Sequence, residues 1–313
     1  MKFLALLAAL VFEQWRPLRH DNPVHGAYRR FAGYVRHALD AGQIRQGVWG
    51  WLIAVLPWVM LVAVLQGWFA HMNGALAFLF AVGVLYACTG FREFSNYLNE
   101  INKLLKVSDL PAAREPLRQW RNADCGALDA NAVARVAIEL GLMASHRQVF
   151  GPVAWFLVFG PAGALLYGMA ALLRDTWGQR AAPDTGLSDE FGRFASRAFD
   201  VIDWVPARLT AASFAAVGNF QDAVDCWRAQ ADSWADEAQG IILASGAGAL
   251  GVKLGGVLAG GAGGAEGAIY RPELGTGDDA DADYLSSAMG LIWRALVMWM
   301  LLAGVVTLAH SLG

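Results

Sequence analysis

Residues 46–91 read QGVWGWLIAVLPWVMLVAVLQGWFAHMNGALAFLFAVGVLYACTGF and contain no Lys, Arg, Asp or Glu. A helix of about 20 apolar residues crosses the hydrocarbon core of a bilayer, which is about 30 Å thick. The stretch is therefore long enough for two membrane-spanning helices, which we place at 48–70 and 74–90. The polar residues 71–73 predict the tight turn between them. These features indicate a helical membrane protein.

Two further uncharged runs predict two more membrane-spanning helices. One lies between Arg147 and Arg174, and the other runs from about 291 to 310. With the first two, they make four predicted transmembrane helices. The predicted fold class is thus all-α, a polytopic helical membrane protein with one or two additional short or re-entrant helices.

Two segments are candidates for those additional helices. Residues 1–12 are apolar but short, and Glu13 follows where a secretory signal peptide would have a small-residue cleavage site. We therefore expect a retained anchoring or partly inserted helix. Residues 201–218 either cross the bilayer or lie against the bundle as a half-helix.

The composition of the whole chain excludes several classes of protein. Only 16% of the 313 residues are charged, against about 25% in soluble domains, which excludes an ordinary cytosolic enzyme. The net charge of −3 provides no basic field for nucleic acid. The three cysteines form no CxxC pair and the six histidines show no ligand spacing, so neither a disulfide framework nor a metal site is predicted.

Lysine and arginine residues near the ends of the spans predict the orientation, because cytoplasmic loops of membrane proteins are rich in them. Residues 13–46 carry six arginines and residues 92–147 carry eight basic residues, so both are expected in the cytoplasm. Residues 219–287 carry 11 acidic and three basic residues, and the sequence does not predict on which side of the membrane they lie. We treat 1–313 as one integral membrane domain, with 92–147 as a cytoplasmic helical insert and 219–287 as a polar, glycine-rich and acidic segment.

The glycine-rich part of that segment, residues 240–267, contains 11 glycines. Within it, GAGALG at 246–251 satisfies the formal pattern of a dinucleotide-binding loop. That pattern needs a preceding strand and a surrounding βαβ unit, and neither is predicted here. The segment is therefore either a helix-packing surface of small residues or a loop that binds an anion, with Lys253 as the countercharge.

Asp203 and Arg208 lie in an otherwise apolar segment, on either side of Pro206. A charge in apolar surroundings costs a few kcal/mol unless it is paired or hydrated. Pro206 predicts the first turn of a helix, since its missing N–H would have no partner there. The two charges form either a structural ion pair or a pocket for an anionic ligand, with Arg208 as the donor and Asp200 and Asp203 orienting it.

Three stretches of the chain resemble the CobD/CbiB family of membrane proteins. Residues 197–210 (RAFDVIDWVPARLT) are similar to the family's P-A-R-L signature, and residues 247–256 (AGALGVKLGG) are similar to its glycine-rich segment. Residues 151–156 (GPVAWF) also resemble the corresponding family segment. The resemblance covers nearly the whole chain.

The resemblance implies a multi-pass protein of the bacterial inner membrane that acts in a late step of cobalamin biosynthesis. In that step an aminopropanol-type amine is joined to a corrinoid carboxylate through an amide bond, with ATP and Mg²⁺. The implied partners are the lipid bilayer, an anionic or corrinoid ligand and a protein partner. Carboxylates are the candidate catalytic residues and basic residues are the candidate ligand-binding residues: Glu139, Asp200 and Asp203 for catalysis, and Arg208, Lys253, Arg197 and Arg147 for binding.

Arginines stand at two positions where the resemblance would place carboxylates. Alignment on Pro152 puts Arg147 at the Asp of the family's E-N-T-x-D-G motif, and Arg174 at the Asp of its N-T-L-D motif. An arginine repels Mg²⁺ where a carboxylate would bind it. The same positions resemble the AmpE branch, which is associated with β-lactamase induction as a membrane signalling modulator. The sequence thus leaves two alternatives, an amide-forming synthase and a non-catalytic modulator.

Overall fold

The structure, a computed structural model, describes residues 2–15, 23–40, 43–178, 189–258 and 270–312. Within these ranges most of the chain is helical, which confirms the predicted all-α class. The helices are α1 (Lys2–Trp15), α2 (Pro23–Leu39), α3 (Ile44–Met72), α4 (Gly74–Cys88), α5 (Phe91–Lys106), α6 (Leu110–Arg121), α7 (Ala130–Ser145), α8 (Gly151–Phe159), α9 (Pro161–Trp177), α10 (Asp189–Val217), α11 (Phe220–Gln230), α12 (Glu237–Leu250) and α13 (Ala282–Leu312).

Two short strands and a division into two units complete the architecture. Strands β1 (Val252–Lys253) and β2 (Asp278–Asp279) pair in parallel. The chain separates into two compact units, each assembled from several stretches of sequence. Unit 1 contains Met1–Gly90, Arg147–Pro206 and Ala303–Gly313, and unit 2 contains Phe91–His146 and Ala207–Leu302.

Three helical segments of the described residues are long and apolar enough to cross a membrane: Ile44–Met72, Gly74–Lys106 and Ala282–Ala309. They correspond to the first, second and fourth spans predicted from the sequence. Apolar side chains along α3 are largely exposed, as expected for a helix whose surroundings are lipid. The chain is therefore a membrane protein.

The third predicted span, between Arg147 and Arg174, is not a single crossing helix, and that prediction is wrong. The chain turns back at Gly160, whose φ of +67° lies in the left-handed region that favours glycine. Pro161 then starts α9, where its missing N–H is tolerated. Helix α8 has nine residues and is about 14 Å long at 1.5 Å per residue, too short to cross the bilayer core.

The two ends of this turned segment lie together, because Arg147 before α8 is 3.6 Å from Asp175 near the end of α9. Residues 147–177 therefore form a helical hairpin whose two ends lie together, and we refer to it as the 147–177 hairpin. The length and mean hydropathy of an uncharged run do not change when the chain turns within it. The sequence therefore predicted one crossing helix here.

Helix α10 also differs from its prediction. It begins at Asp189 and runs through residues 201–217, so Pro206 lies inside the helix and not in its first turn. Proline has no N–H to donate, which leaves the carbonyl of Ile202 without its usual helical donor. The indole Nε1 of Trp155 in α8 donates to that carbonyl at 3.1 Å, so the proline becomes a point of attachment between α10 and the hairpin.

Of the other short apolar segment, residues 2–12 lie within α1, which packs against α4, and residue 1 lies outside the described residues. The Lys2 ammonium group donates hydrogen bonds to the carbonyl oxygens of Leu157 and Val158, at 2.8 Å and 3.3 Å. These carbonyls lie at the end of α8, where helical carbonyls lack intrahelical partners. Helix α1 therefore supplies a hydrogen-bond donor to the backbone carbonyl oxygens at the tip of the 147–177 hairpin.

In unit 2, the small residues of α12 allow close packing of helices, as one of the two sequence alternatives predicted. A side chain at Gly248 would overlap the backbone of Asp222 in α11, and one at Gly246 would press on Leu142 in α7. The formal dinucleotide pattern is thus part of a buried helix. The glycine-rich residues beyond 258, up to 269, lie outside the described residues.

The hairpin predicts a labelling pattern in a variant that lacks the native cysteines. Single cysteines at Gln148 and Thr176, at its two ends, should react with a membrane-impermeant maleimide from the same side. A cysteine at Met72, in the exposed turn between α3 and α4, should react from the opposite side, because α3 spans the membrane. Labelling of position 176 only from the side of position 72 would contradict the hairpin.

Candidate functional site

The ends of the 147–177 hairpin and the first half of α10 bring charged side chains together in unit 1. Arg147 Nη1 lies 3.6 Å from Asp175 Oδ1, and Arg174 Nη2 lies 3.7 Å from Asp200 Oδ1. The side chains of Arg147 and Arg174 are 31% and 18% exposed, whereas those of Asp175 and Asp200 are 60% and 59% exposed. The guanidinium groups thus lie on the protein side of these pairs and the carboxylates lie on the outside.

A buried hydrogen bond lies behind the two arginines. The Tyr167 hydroxyl donates to Asp203 Oδ1 at 2.8 Å, and both side chains are almost fully buried. Arg147 and Arg174 both interact electrostatically with this Tyr167 hydroxyl, which places the two ion pairs and the buried pair in one cluster. We call these six residues the arginine–aspartate cluster: Arg147, Tyr167, Arg174, Asp175, Asp200 and Asp203.

Local features of the backbone position the members of this cluster. Residues His146–Phe150 form a π-helical turn, a feature that often occurs at functional sites, and Arg147 projects from it. Gly151 follows directly, and any side chain there would overlap the Tyr167 ring. The absence of a Cβ at Gly151 therefore lets Tyr167 reach Asp203.

Aromatic rings hold the second arginine in place. The Arg174 guanidinium carbon lies 5.2 Å from the centre of the Phe199 ring, within the range of cation–π attraction. The Tyr167 and Phe199 rings pack with their centres 5.4 Å apart, and both rings are fully buried. Phe199 is the residue that precedes Asp200 on α10, so the same stretch of helix supplies the aromatic ring and the carboxylate that contact Arg174.

The carboxylates of the cluster do not suit a Mg²⁺ ion. Asp175 and Asp200 each face a guanidinium group, and Asp203 accepts a hydrogen bond from Tyr167. A dication brought to these carboxylates would meet two positive charges within a few ångströms. Across the parts of the chain that the structure describes, no three or more His, Cys, Asp or Glu side chains are grouped as metal ligands.

Glu139, the remaining candidate catalytic carboxylate, lies in unit 2 and is buried, with only 5% exposed. Its Oε1 accepts hydrogen bonds from the Gly255 N–H at 2.7 Å and from Arg271 Nη2 at 3.1 Å, and its Oε2 pairs with Arg271 Nη1. Arg271 also lies over the Trp234 ring. Glu139 thus joins α7 to the glycine segment after α12, and we call Glu139, Gly255 and Arg271 the glycine clasp.

The basic candidates lie in different places. Arg208 forms an ion pair of 2.5 Å with Glu237 in unit 2, and Lys253 is an exposed residue of β1 in the same unit. In unit 1, Arg197 is exposed and precedes Asp200 by three residues, so both lie on one face of α10. The arrangement in which Asp200 and Asp203 orient Arg208 stays a prediction.

Sequence reasoning did not include several of the residues that the structure brings to these sites among its candidate site residues. Arg174, Tyr167 and Asp175 belong to the arginine–aspartate cluster, and Arg271 belongs to the glycine clasp. Tyr167 carried a usable signal, since it is the one hydroxyl-bearing side chain of the uncharged run between Arg147 and Arg174. Arg271 carried none, because its partner Glu139 is 132 residues away.

Comparison of the sequence with known proteins finds a matching family model and several similar proteins. The family model described as CobD/Cbib protein matches residues 3–308. The chain is similar to a protein named cobalamin biosynthesis protein CobD from Stutzerimonas stutzeri, with 34% identity over 96% of each chain. It is also similar to the Chromobacterium violaceum protein of that name, with 31% identity over 89% of this chain and 88% of the relative. No solved structure matches.

Proposed function

Because the chain belongs to the CobD/CbiB family, we propose that it acts in cobalamin biosynthesis as a multi-pass protein of the bacterial inner membrane. The observation that carries this proposal is the similarity to proteins named for that pathway along nearly the full length of both chains. The proposed reaction is the joining of an aminopropanol-type amine to a corrinoid carboxylate through an amide bond. ATP would activate the carboxylate, and the phosphoryl or adenylyl group that it supplies would leave as the amide bond forms.

Within unit 1, we assign the chemistry of amide formation to the arginine–aspartate cluster. An amine that attacks an activated carboxyl group must lose a proton, and a carboxylate can accept it. Asp200 is the exposed carboxylate at the edge of the cluster, and Asp203 is held behind it by Tyr167. We therefore propose Asp200 as the group that meets the amine, and Asp203 as a positioning residue.

The other candidate residues receive different roles in this proposal. Glu139 engages both oxygens in the glycine clasp, so we propose that it positions the glycine segment and takes no part in proton transfer. Arg208, held by Glu237, and Lys253 are proposed as cations that attract an anionic substrate to unit 2. Arg197 has the corresponding role beside Asp200 on α10.

Complementation tests the enzymatic function. A strain that lacks the amide-forming synthase, supplied with cobyric acid and carrying a cobalamin-dependent growth reporter, is expected to grow when it expresses this chain. Asp200→Asn should abolish growth, and Glu190→Gln, in an exposed ion pair on the same helix, should not change it. The absence of growth from a well-expressed, membrane-inserted protein would refute the enzymatic reaction.

A second candidate function is a non-catalytic signalling modulator of the AmpE type. The observation that favours it is the pairing of Arg147 with Asp175 and of Arg174 with Asp200, since the resemblance to the synthase places carboxylates where the arginines stand. This alternative predicts no complementation. It predicts instead that deletion of the gene alters β-lactamase induction, and that the chain can be recovered with a protein partner.

A further inference from the structure

We propose that Arg147 and Arg174 form a receptor for an oxyanion, a carboxylate or a phosphate group, which takes the places of Asp175 and Asp200. The inference names the class of ligand for the cluster in unit 1 and thereby deepens the proposed function. It requires binding only, so it also holds if the chain catalyses nothing. It replaces the divalent cation that the family resemblance implies for this site.

The first support is the geometry of the two ion pairs. Their N···O distances of 3.6 Å and 3.7 Å exceed the 2.7–2.9 Å or so that is typical of charge-assisted hydrogen bonds. The Asp175 and Asp200 side chains are 60% and 59% exposed, so an anion from solution can reach the guanidinium groups from the side on which these carboxylates lie. A ligand oxyanion can approach the planar guanidinium groups in bidentate fashion, which Asp175 and Asp200 do not do at these distances.

The second support is the rigidity of what lies behind the arginines. Arg174 is held against the Phe199 ring, and Arg147 projects from the π-helical turn. The buried Tyr167–Asp203 hydrogen bond offsets part of the positive charge of the two guanidinium groups without occupying their outer side. The cations therefore stay in place when the exposed aspartates move, as preorganised binding of an anion requires.

The third support is the balance of charge at the surface of the cluster. Arg197, exposed and one turn before Asp200 on α10, adds a third cation to Arg147 and Arg174. Counted with Arg197, the cluster has three arginines and three aspartates, so it presents no net negative charge to an anion. Once the exposed carboxylates of Asp175 and Asp200 turn outwards, the guanidinium groups are the charges nearest to the ligand, which favours an anion over Mg²⁺.

The test measures binding to the purified full-length protein in detergent micelles. Inorganic phosphate, acetate and MgCl₂ are titrated separately, and the midpoint of thermal unfolding is followed, because a ligand of the folded state raises it. Phosphate or acetate is expected to raise the midpoint of the wild type, and the stronger of the two identifies the kind of oxyanion. Arg147→Gln and Arg174→Gln should each weaken the binding about tenfold or more.

The aspartates provide the discriminating variants. The double variant Asp175→Asn, Asp200→Asn removes the competing carboxylates and should strengthen oxyanion binding about threefold to fivefold. For a Mg²⁺ site the same double variant would abolish binding. Arg193→Gln is the matched control, since Arg193 lies on α10 in an exposed ion pair with Glu190, and it should leave binding unchanged.

Two outcomes would overturn the inference. One is stabilisation by Mg²⁺ that the double aspartate variant abolishes, and the other is equal stabilisation by phosphate and acetate of the wild type and both Arg→Gln variants. Should an Arg→Gln variant fail to fold, the corresponding Arg→Lys variant retains the charge without the planar fork and should still bind more weakly than the wild type. Oxyanion binding without complementation would refute the enzymatic function alone, whereas complementation without oxyanion binding would refute this inference alone.

Discussion

Glu139→Gln is expected to lower the free energy of unfolding by about 3 kcal/mol, the largest effect of any single isosteric change that we propose. Glutamine keeps the shape of the side chain but removes the charge that both Nη atoms of Arg271 face. The Arg271 side chain is only 20% exposed, so its charge would lose its partner while remaining mostly out of water. Breaking a buried ion pair in this way is strongly destabilising.

Glu115→Gln is the matched control for this prediction. Glu115 forms a bidentate pair with Arg118 on α6 in the same unit, and this pairing lowers the pKa of Glu115 to about 2. Both side chains of this pair are half or more exposed, so water replaces the lost interaction and the unfolding midpoint should hardly change. Circular dichroism during thermal unfolding in micelles measures both variants. Equal midpoints for the Glu139 and Glu115 variants would show that the glycine clasp contributes nothing to stability.

Gly255→Ala is expected to destabilise unit 2 by about 2 kcal/mol or more, for two reasons that act together. Its φ of +75° lies in the left-handed region, which costs an alanine about 1–2 kcal/mol. A Cβ at this position would also overlap the backbone carbonyl of Pro272, which cannot move aside as a flexible side chain can. Relief of that overlap would draw the Gly255 N–H away from Glu139.

Gly251→Ala separates these two contributions. Gly251 has a similar φ of +67° at the end of α12, but a Cβ there would meet open space. This variant should lose only the conformational part, about 1 kcal/mol. Thermal unfolding of both variants in micelles gives the comparison. If Gly251→Ala proved the more destabilising of the two, the close approach of Gly255 to Pro272 would be contradicted.

The sequence predicted the parts of the fold that depend on composition along a short window. The uncharged residues 46–91 predicted two membrane helices, and the structure has two suitable helical segments there. The small residues of α12 predicted close helix packing, and Gly246 and Gly248 provide it. In both cases the information is local, because length, polarity and the absence of a side chain act on the residues that carry them.

The candidate site was only partly predictable, because its members depend on contacts across the chain. Arg147, Asp200 and Asp203 were recognised from resemblance and from the cost of charge in apolar surroundings. Arg174 and Tyr167 joined them only through the folding of the 147–177 hairpin. The glycine clasp was missed as a unit, since no local pattern links Glu139 to an arginine 132 residues away.

By itself, the sequence determined that this protein is an all-helical membrane protein of one recognisable family. Hydropathy and short motifs are local properties, so they can be recognised without knowledge of the fold. Only the tertiary structure decided that an apolar run turns back at Gly160, and that Arg147 and Arg174 therefore lie on the same side. The physical reason is that hydropathy is a sum over all residues of a run, whereas the direction of the chain can be reversed by one residue with a positive φ. Two arginines that the sequence placed at opposite ends of a helix thus become one site.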